Sequence, residues 1–193
     1  MLATTQLIGF GARRLGVSSL SFFDAGTFLG LPGDILAGDL IVIVTDTSGP
    51  PSGYTQINTD GSAQEMSAKI ADGTEGGTNP SGFLLGLVFR GDVPIKTFAA
   101  ASPNAQITSG NPTAQNVTAS SGTPPLVVIG SYWSSGAVNP RTMSPAKDGE
   151  VGFISDLGWL AYKIYNSSPS DVSVDMDDEG NNNSLMSLYI SVS

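Results

Sequence analysis

The chain reads as an all-β protein, an antiparallel β-sandwich of jelly-roll-like character folded as one domain over residues 1–193. Three observations point there. Short apolar runs recur along the sequence, cut apart by clusters of Gly, Pro, Ser, Thr and Asn. Gly (24) and Pro (12) are abundant without a collagen period, as a chain of many turns requires. No segment carries a convincing amphipathic helical pattern, and no repeat of about 20–50 residues is visible. With 40% hydrophobic and 13% charged residues in 193, the chain has enough apolar side chain for a sizeable core.

Residues 5–10 form a plausible first strand, and residues 20–23 a second, short one. A turn of helix over residues 24–29 is a weak alternative to loop. Leu31-Pro32-Gly33-Asp34 is a turn, because Pro presets φ and Gly accepts positive φ. Leu40-Ile41-Val42-Ile43-Val44 is short, β-branched and unalternated, so it should be a strand buried on both faces. Tyr54 to Ile57 re-enters the fold after a Gly/Pro loop. Met66, Ala68 and Ile70 alternate with Ser67 and Lys69, which predicts a half-buried strand. A long turn follows over 72–80.

Residues 83–89 are a second fully buried strand, closed by Arg90-Gly91-Asp92. Residues 99–124 are small and polar, with strand candidates only around Ile107 and Val117, and an irregular ordered loop is expected for part of them. Leu126-Val127-Val128-Ile129 is a third buried strand that continues into Tyr132-Trp133, before another Gly/Pro/Ser loop through Gly149. Residues 159–165 and 172–176 alternate. Residues 186–192 do so most cleanly, with Met186, Leu188, Ile190 and Val192 inward. The runs 40–44, 83–89 and 126–129 should be the central strands of two sheets.

Composition removes several classes of function. There is no His and no Cys, so Ser-His-Asp and Cys-His constellations, thiolate metal sites and disulfides are out. The net charge of −9 with only eight Lys and Arg leaves no basic face for nucleic acid or an anionic membrane. The longest apolar run, 40–44, is far short of the roughly 20 residues of a membrane helix. The N-terminus places its Arg13-Arg14 pair after its short apolar stretch, unlike a signal peptide, so synthesis in the cytoplasm without ordinary export is expected.

What remains is sparse. Ser144-Pro145-Ala146-Lys147 matches S-x-x-K, but that motif works on a helical turn, which Pro145 opposes. Among 17 acidic residues a glycosidase-like carboxylate pair could arise, yet nothing marks one out. Asp175, Asp177 and Glu179 before Gly180 imitate the start of a calcium loop. The twelfth position is Met186 where a bidentate Glu is needed, and no helices flank it, so a solvated β-turn between residues 171–176 and 184–192 is the simpler account. Asn116-Val117-Thr118 and Asn166-Ser167-Ser168 match glycosylation sequons only by pattern. Tyr132 and Trp133, with Trp159, could stack on a sugar; for Trp159 a place in the core is the simpler account.

Two stretches carry a resemblance. One is Leu31-Pro32-Gly33-Asp34-Ile35-Leu36-Ala37-Gly38-Asp39-Leu40-Ile41-Val42-Ile43-Val44, then Pro51-Ser52-Gly53-Tyr54-Thr55. The other is Lys69-Ile70-Ala71-Asp72-Gly73-Thr74-Glu75, followed by a strand ending Phe89-Arg90-Gly91. The order A-G-D-L, P-x-G-Y-T and K-x-A-x-G-T-E over residues 30–92 resembles small jelly-roll-like virion proteins of tailed phages, which serve as capsid decoration, head spikes or tail-tip adhesins. The group has Trp where Tyr54 stands. The resemblance implies a virion location, a homo-oligomer docked on other virion proteins and no catalytic residue. A host surface glycan is the alternative partner, and a carboxylate-dependent polysaccharide hydrolase a third option. No cofactor is expected; a calcium ion at Asp175, Asp177 and Glu179 is the alternative to a solvated turn there.

Overall fold

The computed structural model describes residues 16–27, 29–46, 49–61, 64–108, 114–133, 141–153, 158–176 and 183–193. Residues 5–10, expected as a strand, lie outside them. The first half of the chain builds one five-stranded antiparallel sheet. Its strands are β1 (Leu20–Thr27), β2 (Leu40–Thr45), β3 (Thr55–Thr59), β4 (Glu65–Ile70) and β5 (Phe83–Gly91), in spatial order β1-β5-β2-β4-β3. The second half builds another. Its strands are β6 (Phe98–Thr108), β8 (Leu126–Trp133), β10 (Gly149–Phe153), β11 (Gly158–Tyr165) and β13 (Asn183–Val192), in order β10-β11-β8-β13-β6. A third, three-stranded sheet pairs β7 (Gln115–Val117), β12 (Val172–Met176) and β9 (Arg141–Ser144) in order β7-β12-β9.

The two large sheets face each other across the main core. Leu40, Val42, Val44, Leu85, Leu87 and Phe89 of the first meet Val127, Ile129, Leu160, Leu188 and Ile190 of the second. The outer face of the second sheet carries Leu126, Val128, Tyr132, Trp159 and Leu185, which pack under Val117, Met143, Val172 and Val174 of the third sheet. The outer face of the first carries Ile41, Ile43 and Val88, roofed by Leu31, Ile35 and Ala71 from connecting segments. Both large sheets are therefore covered on both sides. That is why β2, β5 and β8 are unalternated apolar runs and why each has a neighbour on either edge.

The antiparallel sandwich expected from the sequence is present, with corrections. Jelly-roll wiring passes strands back and forth between two sheets, whereas β1 to β5 all stay in one sheet before the chain crosses to the next. Residues 24–27 extend β1 past a bulge between Phe22 and Asp24 and form no helical turn. The stretch 99–124, expected to be mostly loop, begins with the eleven-residue strand β6. The loop expected through Gly149 contains β9. β4 is not half-buried, because Glu65 and Ser67 on its outward side are covered as fully as Met66 and Ala68. β12 and β13 belong to different sheets and do not pair with each other as a hairpin, and the residues between them, where a β-turn was expected, lie outside the described residues.

Buried polar side chains bridge the layers. Gln64 donates to the Ser184 hydroxyl at 2.7 Å and accepts from the Ser131 hydroxyl at 3.0 Å, closing one end of the main core. Asn58 donates to the carbonyls of Asn104 and Ser187 at 2.8 and 3.2 Å. The edge of β1 is closed by Asn166, whose amide accepts from Leu20 N–H at 2.6 Å and donates to Leu20 C=O at 3.1 Å, as a neighbouring strand would. This engagement occupies the nitrogen that the Asn166 sequon would offer to a glycan.

Candidate functional site

The residues singled out from the sequence do not come together. Asp175 lies exposed on β12 opposite Thr142 of β9, and Asp177 and Glu179 fall outside the described residues. Among the described residues no group of three His, Cys, Asp or Glu is placed to hold a metal ion. Tyr132 and Trp133 are consecutive on β8 and so point to opposite faces. Tyr132 is 1% exposed beneath the third sheet, while Trp133 is half-buried at the rim of the main core. They cannot share one stacking platform. Trp159 is buried beside Tyr132 and donates its indole N–H to the Glu150 carboxylate. Lys147 of the S-x-x-K match pairs with that same Glu150 at 3.2 Å and overlies the Trp159 ring, so its charge is committed away from Ser144.

The motifs that carried the resemblance do come together, in two places. In the first, Ala37-Gly38-Asp39-Leu40 meets Phe89-Arg90-Gly91. Asp39 is buried and accepts from Arg90 Nε at 2.8 Å and Nη2 at 2.7 Å, and from Leu36 N–H at 2.8 Å. Asp39, foremost through these bonds, pushes the guanidinium still further up. Arg90 also reaches the Asp34 carbonyl at 3.0 Å and lies 3.9 Å over the Phe23 ring. Gly38 takes φ +90° with Pro94 against it, a place no side chain could share. The result is a rigid corner. Leu36 stands 56% and Val93 39% exposed beside a depression of about 170 Å³ that Ala37 and Pro94 also line.

In the second, Pro51-Ser52-Gly53-Tyr54 meets Lys69 to Glu75 around a cleft of about 340 Å³. Lys69 ends the outward side of β4, and the chain then turns through Asp72-Gly73 to bring Glu75 back to it. Their charged atoms lie 2.5 Å apart, with side chains only 17% and 6% exposed. Glu75 also accepts from Asp72 N–H at 3.2 Å and Gly73 N–H at 3.1 Å. Burial alone would raise the Glu75 carboxyl, but the Lys69 ammonium and the backbone N–H groups outweigh it and hold it below the usual range. Lys69 sits 5.6 Å from the centre of the Tyr54 ring. Burial, then the charge of Glu75, pushes the Tyr54 phenol far up. Its oxygen is buried without a hydrogen-bond partner among the described residues.

These shifts decide what the cleft can do. A carboxylate held ionised is a poor proton donor, and a phenol held neutral is a poor base. The Lys69–Glu75 pair is fixed in place by its own charges and by the Asp72 and Gly73 N–H groups. Sequence reasoning treated both motifs as structural turns. The available signal was a lysine near the end of a strand, six residues before a glutamate, across an Asp-Gly turn.

No protein-family model, curated protein or solved structure matches this chain.

Proposed function

We propose that the chain is a non-enzymatic virion surface protein of a tailed phage that acts by docking, as a homo-oligomer, on other virion proteins. The observation that carries this is the rigid display of Leu36 and Val93. The Leu36 turn is held at four points: Leu36 N–H to Asp39, Asp39 N–H to Leu36 C=O, Gly38 N–H to Ala71 C=O, and Ile95 N–H to Gly38 C=O. Two apolar side chains kept in water by such a frame gain by covering; complete burial of a side chain of this size is worth about 1.5–3 kcal/mol. The frame consists of the same A-G-D-L and F-R-G residues on which the phage resemblance rests. A body of stacked sheets with polar bridges suits a shape-bearing role, and the cleft at Tyr54 is not poised for acid–base work.

The test is sedimentation of the purified protein, followed by mixing with isolated phage particles. We expect a closed oligomer or particle binding in the wild type. Leu36→Asp with Val93→Asp should lose it while the melting temperature stays within a few degrees. A wild-type protein that is monomeric at every concentration and ignores particles defeats the proposal.

A further inference from the structure

The cleft between the 51–54 turn and the 72–81 segment shares no lining residue with the depression at the Leu36 corner, and nothing in the docking role uses it. We propose that it is a binding site for a neutral saccharide unit, of the size of one hexose or the end residue of a glycan. Its volume of about 340 Å³ is at the small end of ligand pockets.

Charge disfavours anionic and cationic ligands. Lys69 and Glu75, the two charged residues that line the cleft, neutralise each other at 2.5 Å, and the Asp72 carboxylate stands behind the Thr74 hydroxyl. An anion brought to Lys69 meets Glu75, and a cation brought to Glu75 meets Lys69. A neutral polyol meets neither penalty. Lys69 still has N–H donors beyond the one aimed at Glu75. Hydroxyl groups of Ser52, Thr74 and Ser81 stand on the same walls. The Thr74 hydroxyl donates its proton to Asp72 at 2.6 Å, so toward a ligand it can act as an acceptor. Pro51, Pro80 and the Tyr54 ring supply the flat apolar surface against which the C–H face of a pyranose packs.

The walls are pre-formed, which matters because a small ligand cannot supply the energy to order a loop. Thr78 N–H and hydroxyl both bond the Glu75 carbonyl, at 3.0 and 2.6 Å. Leu31 N–H bonds Thr78 C=O at 2.8 Å, and Gly77 N–H bonds Pro32 C=O at 3.1 Å. Tyr54 N–H closes its own turn onto Pro51 C=O at 3.0 Å.

The experiment is saturation-transfer NMR of the full chain with methyl glycosides of neutral hexoses and N-acetylhexosamines, alongside a uronic acid and glucosamine. At least one neutral glycoside should receive saturation, with a dissociation constant on the order of 1 mM. The charged pair should receive at least tenfold less. Ser81→Trp and, separately, Ser52→Trp fill the cleft from exposed positions while leaving Lys69 and Glu75 themselves unsubstituted. Each should reduce the transfer tenfold or more with an unchanged circular-dichroism spectrum. Absence of transfer from every neutral glycoside, stronger transfer from a charged sugar, or transfer undiminished in both tryptophan variants overturns the proposal. None of these outcomes bears on the oligomer test, since neither variant touches Leu36 or Val93.

Discussion

Single carboxylates in this chain act as backbone ties, and that sets its response to acid. Asp92 accepts from the Ser18 hydroxyl, from Ser18 N–H at 2.9 Å and from Ser19 N–H at 3.2 Å, which fastens the chain just before β1. These bonds favour the charged form and lower its pKa from 3.8 to about 2. A carboxyl depressed on folding contributes stability that is complete above its unfolded value and disappears as pH falls through its folded one. The window for Asp92 is therefore about pH 4 down to pH 2. Asp72, lowered by its bonds from Thr74, and Glu75 act in the same direction. Thermal melts of wild type and Asp92→Asn from pH 5 to pH 2 should show the variant lower at pH 5. The two curves should converge as pH falls to 2, where the wild-type carboxyl begins to take up its proton in the folded state. Coincident curves would mean that the Ser18–Asp92 tie contributes nothing, and curves separated by a constant amount would mean that the charge of Asp92 is not what stabilises it.

At the scale of strands, the seating of the third sheet depends on one small residue. Gly130 of β8 lies under β12, and a Cβ there would stand 2.9 Å from Val174 Cγ1 and 3.4 Å from Trp159 Cζ3. Gly130→Ala should lift β12 and cost about 1–3 kcal/mol in urea denaturation, as overpacking does. In a Trp133→Phe background, Trp159 is the sole tryptophan, and its emission should move to the red. An unchanged spectrum would show that the sheet is not held at this contact. Strands in such contact with two layers were legible in the sequence: 40–44, 83–89 and 126–129 are apolar at every position because both of their faces are covered. β6 was not, because it is an edge strand paired, among the described residues, with β13 alone; Ala99-Ala100-Ala101 pair with Ser191, Ile190 and Tyr189 through backbone bonds that side-chain pattern does not announce, and the unpaired Ser102-Pro103 interrupt the ladder as a bulge. The outward face of β4 was misjudged for a different reason. Glu65 accepts from Gly49 N–H at 2.9 Å and Gln56 at 3.2 Å, so a distant loop buries it. The cleft was illegible for the same cause. Tyr54, Lys69 and Glu75 were visible one at a time, but their meeting is produced by two connections folding over one sheet, and periodicity carries no information about that.

For the molecule as a whole, the sequence divides neatly while the energetics do not. Each half of the chain makes its own large sheet, an arrangement that could let two units melt separately. The packing argues otherwise, because the main core is made by both halves. Leu87 and Phe89 in one sheet and Leu160 and Ile190 in the other are members of one cluster, each with essentially no exposure. Separating the sheets would bare the inner face of both, and neither roof compensates for that loss. The polar bridges reinforce the coupling, since Gln64 from the first half satisfies Ser131 and Ser184 in the second across a buried gap. Unfolding should therefore be a single cooperative transition. Hydrogen exchange provides the sharpest measurement: the slowest amides of β2 and β5 should open with the same free energy as those of β8 and β13, at the value given by urea denaturation. Gln64→Ala should lower both sets together. A first-half sheet that exchanges several kcal/mol more easily than the second would mean that the halves are separate units resting against each other, and docking through Leu36 would then be carried by the first half alone.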